Sequence, residues 1–135
     1  MADMTREEME AALRKYVGQE IGAPWVASDP VNVAMIRHFC AAVGDANPVY
    51  LDAAAAEKSV HGGLVAPPTM MDAWTMPGMG AAWVHSEGEA QDKQVELHRL
   101  LSEQGYTGVV ATNQEQEYER YLRPGDQLTA RIVFE

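Results

Sequence analysis

Gly44-Asp45-Ala46-Asn47-Pro48-Val49-Tyr50 closes one apolar helical stretch, and Gly62-Gly63-Leu64-Val65-Ala66-Pro67-Pro68-Thr69 opens another. The first segment joins a glycine, an acid, an amide and a proline, the residue types that stop a helix and close a tight turn. In the second, each proline pushes the residue before it out of the α region, so the chain must enter the next helix along an extended path. A helix stop followed by an Asx-type turn, and a plain loop leading into a buried helix, would use the same residues. The pairing of the two segments is what narrows the fold.

Upstream of this stretch, Val33, Ile36, Phe39, Cys40 and Val43 recur at helical spacing. They predict a helix that begins at Asp29-Pro30, with proline in its first position, and delivers Asp45 at its end. Earlier still, Thr5-Arg6-Glu7-Glu8 has capping-box spacing, and Met9, Ala12, Leu13, Tyr16 and Val17 follow it on one face until Gly18. Gly22 to Val26 reads as an extended connector. Downstream, Asp52 is placed to cap a short alanine-rich turn over 53–58, and a further helix fits 69–76, ended by Pro77-Gly78. The stretch 80–94 has little pattern and reads as a loop with some helix, whereas 95–104 predicts a short helix stopped by Gly105.

From Val109 the apolar period changes to two. Val110, Thr112, Gln114, Gln116 and Tyr118 alternate with Ala111, Asn113, Glu115, Glu117 and Glu119, then Arg123-Pro124-Gly125-Asp126 makes a turn. Leu128, Ala130, Ile132 and Phe134 continue the alternation, so two long strands in a hairpin are predicted.

At 135 residues, with 47% hydrophobic and 22% charged side chains, the composition is that of one ordinary globular domain. Twenty acidic against 10 basic residues, a formal charge of -10, disfavours nucleic acid and anionic membranes as partners. One cysteine, Cys40, allows no internal disulfide, which suits a cytoplasmic location. No apolar run is long enough to span a bilayer, and no signal peptide is visible. His38, His61, His85 and His98 lack metal-ligand spacing, so no metal site and no cofactor is expected. Ser28, Ser59, Ser86 and Ser102 stand outside any nucleophile elbow, and phosphate loops of the Walker or dinucleotide type are missing.

The two opening segments together resemble the MaoC-like hydratases, which add water to enoyl-CoA thioesters. The resemblance covers 31–135 and is strongest over 31–76. It implies an α+β hot-dog fold, an antiparallel sheet wrapped around a central helix, with residues 1–30 as an N-terminal helix and connector and 31–135 as the hot-dog domain. Because the alternation stops at Glu135, the resemblance also implies that C-terminal strands are missing or are supplied by a partner.

Hydration needs a base for water, an acid for the α-carbon and donors for the developing enolate oxygen. Catalytic MaoC-like members supply aspartate and histidine, and Gly44-Asp45-Ala46-Asn47-Pro48-Val49 follows their pattern until Tyr50 stands where they carry histidine. A phenol has a reference pKa of about 10 against about 6.5 for imidazole, so its use as a base near neutrality costs on the order of 5 kcal/mol more. No catalytic residue is therefore expected in this chain, Asp45 and His61 being the weak candidates. Asp45, Asn47, Tyr50, Gly62, Gly63, Ala66, Pro67, Met70 and Trp74 are the candidate substrate-binding residues.

Histidine-lacking domains of this kind resemble the non-catalytic halves of heteromeric enoyl-CoA hydratases, and Ala66-Pro67-Pro68 is similar to their variant of the central-helix entry. Met70, Met71, Met76 and Met79 fall near Trp74 and Trp83, a deformable apolar segment that suits a bulky acyl group, although core packing explains part of it. The runs Asn32-Val33-Ala34-Met35-Ile36-Arg37-His38-Phe39 and Trp74-Thr75-Met76 are closest to members acting on steroid side-chain CoA esters. The implied partners are an acyl-CoA and a second MaoC-like hot-dog chain, as a heterodimer or a dimer of heterodimers. A non-catalytic module that binds acyl-CoA or another hydrophobic ligand, and a hot-dog thioesterase, are the alternatives.

Overall fold

A computed structural model of the chain describes residues 4–76, 89–108 and 110–135, with the side chains of 89–92 outside that description. The predicted stop at Pro77-Gly78, the loop reading of 80–88, and Met79, Trp83, His85 and Ser86 lie outside the described residues. The elements in order are α1 (Arg6–Leu13), β1 (Trp25–Val26), α2 (Val33–Val43), α3 (Pro48–Leu51), α4 (Ala53–Lys58), α5 (Met71–Thr75), α6 (Glu89–Glu103) and β2 (Thr129–Ala130). Single 3₁₀ turns, Arg14–Tyr16 and Pro68–Met70, extend α1 and precede α5. Among the described residues no helix is long and apolar enough to cross a membrane.

The chain divides into two compact units. One comprises Met1–Trp25, Gly78–Glu115 and Arg131–Glu135. Within it the capping box forms as its spacing predicts: the Glu8 N–H donates to the Thr5 hydroxyl at 3.3 Å and the Thr5 N–H to the Glu8 carboxylate at 2.8 Å. Met9 and Leu97 are its buried apolar residues among those described. The Gly18 N–H donates to Phe134 at 2.7 Å and Ile21 to Ile132 at 3.0 Å, an antiparallel pairing of the two ends of this unit.

The other unit comprises Val26–Pro77 and Gln116–Ala130 and contains the core that positions the site. Ile36 and Cys40, one helical turn apart on α2, pack with Val31, Tyr50, Val65, Ala66, Met70 and Trp74. Each fully buried side chain of the size of Ile36 or Met70 contributes about 1.5–3 kcal/mol by leaving water. Gly44 ends α2 with a left-handed φ of 74°, a conformation that glycine adopts without strain, as the sequence anticipates. The Asp52 carboxylate caps α4 by accepting the Ala54 and Ala55 N–H groups at 2.9 and 3.1 Å.

Two elements depart from the sequence reading. Helix α2 does not start at Asp29-Pro30; Asn32 is its N-cap, accepting the Met35 N–H at 2.9 Å. The reason is tertiary: Val31 donates to Asp126 and accepts from Gly125, both at 2.8 Å, and that pairing holds its backbone out of the helix. The predicted hairpin also fails. The turn forms, with the Asp126 N–H donating to Arg123 at 3.0 Å, and Leu128 after it accepts from Ala27 at 2.9 Å. The arm over 110–119 is exposed and carries no strand, because the second arm pairs with the N-terminal segment instead.

Candidate functional site

The turn at 44–50 builds itself from local hydrogen bonds. The Asp45 N–H donates to the Cys40 carbonyl at 2.9 Å, an i→i−5 bond that closes α2 after the left-handed Gly44, and one Asp45 carboxylate oxygen accepts the Asn47 N–H at 2.9 Å. The Asn47 side chain then accepts the Val49 N–H at 3.2 Å and caps α3, whose first residue is Pro48. Asn47 is exposed and Asp45 half-buried, whereas Tyr50 is carried inward by α3 and buried.

Around Tyr50 the structure gathers groups that sequence spacing does not connect. Burial pushes its phenol above the ordinary value, and the adjacent Tyr121 and the Asp45 charge push in the same direction. Tyr121 shares a hydrogen bond with Tyr50 and lays its ring against His61, centroids 4.5 Å apart. The Cys40 thiol, buried beneath the turn, is likewise raised, first by burial and then by Asp45. Tyr50 is therefore protonated at neutral pH, able to donate a hydrogen bond and unable to take a proton from water.

The second segment runs from Ser59 into the core. The His61 N–H donates to the Ser59 hydroxyl at 3.1 Å, and the His61 carbonyl accepts from the Arg123 guanidinium at 2.5 Å. Gly62 and Gly63 follow with φ of 62° and 154°, a path a side chain would strain. Their N–H groups donate to Ser59 and Ala56, that of Val65 to Val49 and that of Ala66 to Leu122. These donors are thus committed within the fold. Ala66, Pro67, Met70 and Trp74 are all buried, and the Trp74 indole N–H has no acceptor among the described residues.

Of the residues singled out in the sequence, Tyr50, Ala66, Met70 and Trp74 share one core cluster. Asp45 acts on Tyr50 through its charge, and Asn47 faces solvent as a cap. Gly62 and Gly63 instead line a cavity of about 390 Å³ with Arg123. His61 joins that group through Tyr121 and Arg123. His38 is exposed on α2, and His98 Nδ1 donates to the Gln94 carbonyl, 2.9 Å away on α6. Among the described residues no cluster of histidine, cysteine and carboxylates is arranged to hold a metal. Tyr121 and Arg123 are the additions from the structure; an arginine heading a Pro-Gly turn in so acidic a chain was the available signal for the second.

The model of the FAS1-like dehydratase domain region matches residues 15–133. The chain belongs to this family. Among its relatives, the "Probable enoyl-CoA hydratase alpha subunit" of Thermomonospora curvata is 49% identical over 128 residues, covering 95% of this chain and 40% of the relative. The "3-oxo-4,17-pregnadiene-20-carboxyl-CoA hydratase alpha subunit" of Mycobacterium tuberculosis is 46% identical over 106 residues, covering 78% of this chain and 32% of that protein. This FAS1-like dehydratase chain therefore spans less than half the length of these curated relatives. The crystal structure of the ChsH1-ChsH2 complex from Mycobacterium tuberculosis contains a chain with a TM-score of 0.73 and 40% identity, the match covering 91% of this chain and 70% of that one. The fold is α+β, of the hot-dog class, as the MaoC-like resemblance implied.

Proposed function

We propose that this chain is one hot-dog part of a heteromeric enoyl-CoA hydratase, shaping the pocket for a bulky trans-2-enoyl thioester while a partner hot-dog chain supplies the catalytic aspartate and histidine. The observation that carries this reading is Tyr50, a buried phenol held protonated by burial, Tyr121 and Asp45. In hydration a base removes a proton from water, the oxygen bonds to the β-carbon, and the enolate is protonated at the α-carbon. A phenol retained at neutral pH cannot be that base, and Asp45 spends one oxygen on closing its own turn.

The remaining residues support a pocket-forming role. Met70 and Trp74 form apolar, deformable packing beneath the site, and Ala66-Pro67 fixes the path of the chain between them and the glycine loop. Asp45, Asn47, Tyr50, Gly62, Gly63, Ala66, Pro67, Met70 and Trp74 are proposed as the substrate-binding set, the buried members shaping the pocket from beneath. A sterol-derived acyl group is the preferred cargo, in keeping with the name of the Mycobacterium tuberculosis relative.

The test is to co-express the chain with its partner and follow hydration of a bulky enoyl-CoA. Asp45→Ala is expected to keep turnover within about tenfold, whereas replacing the partner's catalytic histidine removes it. Loss of turnover in Asp45→Ala, with assembly and acyl-CoA binding intact, would show that this chain takes part in the chemistry.

A further inference from the structure

Arg123 sits at the head of the Pro124-Gly125 turn, and its backbone is held there by two bonds. Its N–H donates to an Asp126 carboxylate oxygen at 2.8 Å, and its carbonyl accepts the Asp126 N–H at 3.0 Å. The same Asp126 oxygen also takes Arg120 Nη1 at 2.6 Å, so the nearest acid on the turn is occupied. One guanidinium nitrogen of Arg123, Nη2, is anchored on the His61 carbonyl. The ion pairs between described residues engage Arg14, Arg99, Arg120 and Arg131, and Arg123 is in none of them.

The guanidinium is thus oriented on a backbone carbonyl and stands outside the ion pairs of the described residues, with Asp126 sensing its charge from the turn. It borders a shallow, open surface cavity of about 390 Å³ lined also by Gly62, Gly63, Pro124, Ala53 and Glu57. At Gly62 an added Cβ would meet nothing, and at Gly63 it would lie 3.6 Å from Arg123 Nη1. A wall of bare backbone lets a ligand approach the arginine closely. Planar guanidinium forks match phosphate oxygens in pairs, and a chain of net charge -10 repels an anion unless a local cation offsets the field.

We infer that this cavity is a docking site for a phosphate-bearing ligand, with the Arg123 guanidinium providing its charge. On the hydratase reading, on which this identification rests, that ligand is the CoA end of the thioester. Glu57 lies on the same wall and opposes the anion, which fixes the sign of a second test.

Calorimetric titration of the purified protein with inorganic pyrophosphate, CoA and dephospho-CoA tests the site directly. Wild type is expected to bind pyrophosphate and CoA, Arg123→Gln to bind both about tenfold more weakly, and Glu57→Gln to bind both about threefold more tightly. Arg99→Gln, in the other unit, should match wild type. Dephospho-CoA binding as tightly as CoA would assign Arg123 to the diphosphate; weaker binding would assign it to the terminal phosphate. Glu57→Gln is exposed on α4 and leaves the Arg123 anchor untouched, so it reads the site even if Arg123→Gln loosens the loop. Absence of anion binding, or binding indifferent to both substitutions, overturns the site. CoA binding that ignores Arg123 does the same while leaving the hydratase reading to the turnover assay above.

Discussion

The stretch 32–58 and the stretch 110–134 differ in where their hydrogen-bond partners come from. In the first, Asn32, Gly44, Asn47 and Asp52 each close a helix end with groups a few residues away, so these ends follow from neighbouring letters except at Asn32, where the pairing of Val31 sets the start. In the second, alternating polarity runs evenly through both arms, yet the strand forms in the arm after the turn, whose backbone partners come from the far end of the chain. Local closure makes a segment readable. Remote closure makes the same quality of pattern ambiguous, because period-two alternation states which faces differ without naming the strand alongside.

The most severe way to break the helical region is Ile36→Ala. Ile36 is fully buried among Val31, Val65, Met70 and Trp74, so the deletion is expected to cost about 2–5 kcal/mol, seen as a lower urea midpoint. An unchanged midpoint would mean that this core is not what holds the unit together.

A smaller effect is expected at the turn, the one locally closed part of the C-terminal stretch. The Arg120 hydrogen bond, with help from the Arg123 N–H, holds the Asp126 carboxyl below its ordinary value. A lowered folded-state pKa contributes stability that is present above the ordinary aspartate value and is lost as pH falls through the lowered one. Asp126→Asn should therefore be less stable than wild type near neutrality by about 0.5–1.5 kcal/mol, the pair being partly exposed. The urea midpoints of the two proteins should converge as the pH is lowered. Parallel curves at every pH would place the origin of the turn elsewhere.

The smallest effect belongs to the exposed arm that carries no strand. Val110 is 81% exposed, so Val110→Thr is expected to change stability by less than about 0.5 kcal/mol in thermal melts. A larger loss would reveal a packing surface on 110–119 and would narrow the contrast between the two stretches.

The candidate site was legible in the same proportion. The Asp45–Asn47 turn, the burial of Met70 and the special backbone of Gly62 and Gly63 follow from residue type and spacing. The roles of Tyr121 and Arg123 do not, because each acts on a residue some sixty or more positions away through a side-chain contact that no periodicity encodes. The start of α2 was misplaced for the same reason, since Asp29-Pro30 is a sound local signal overridden by the pairing of Val31 with the turn at Gly125 and Asp126.

Letters alone determined the caps at Thr5, Gly44 and Asp52, the helical faces and the turn that carries Asp45, since those depend on groups within a helical turn of one another. They also determined that a phenol, not an imidazole, stands at position 50. Only the tertiary structure decided which extended arm forms the strand, that Tyr50 is buried beside Tyr121, and that Arg123, outside the ion pairs of the described residues, borders the glycine loop. Strand pairing, desolvation and charge proximity are properties of distances in space, and a one-dimensional pattern constrains them only where the chain folds back on its near neighbours.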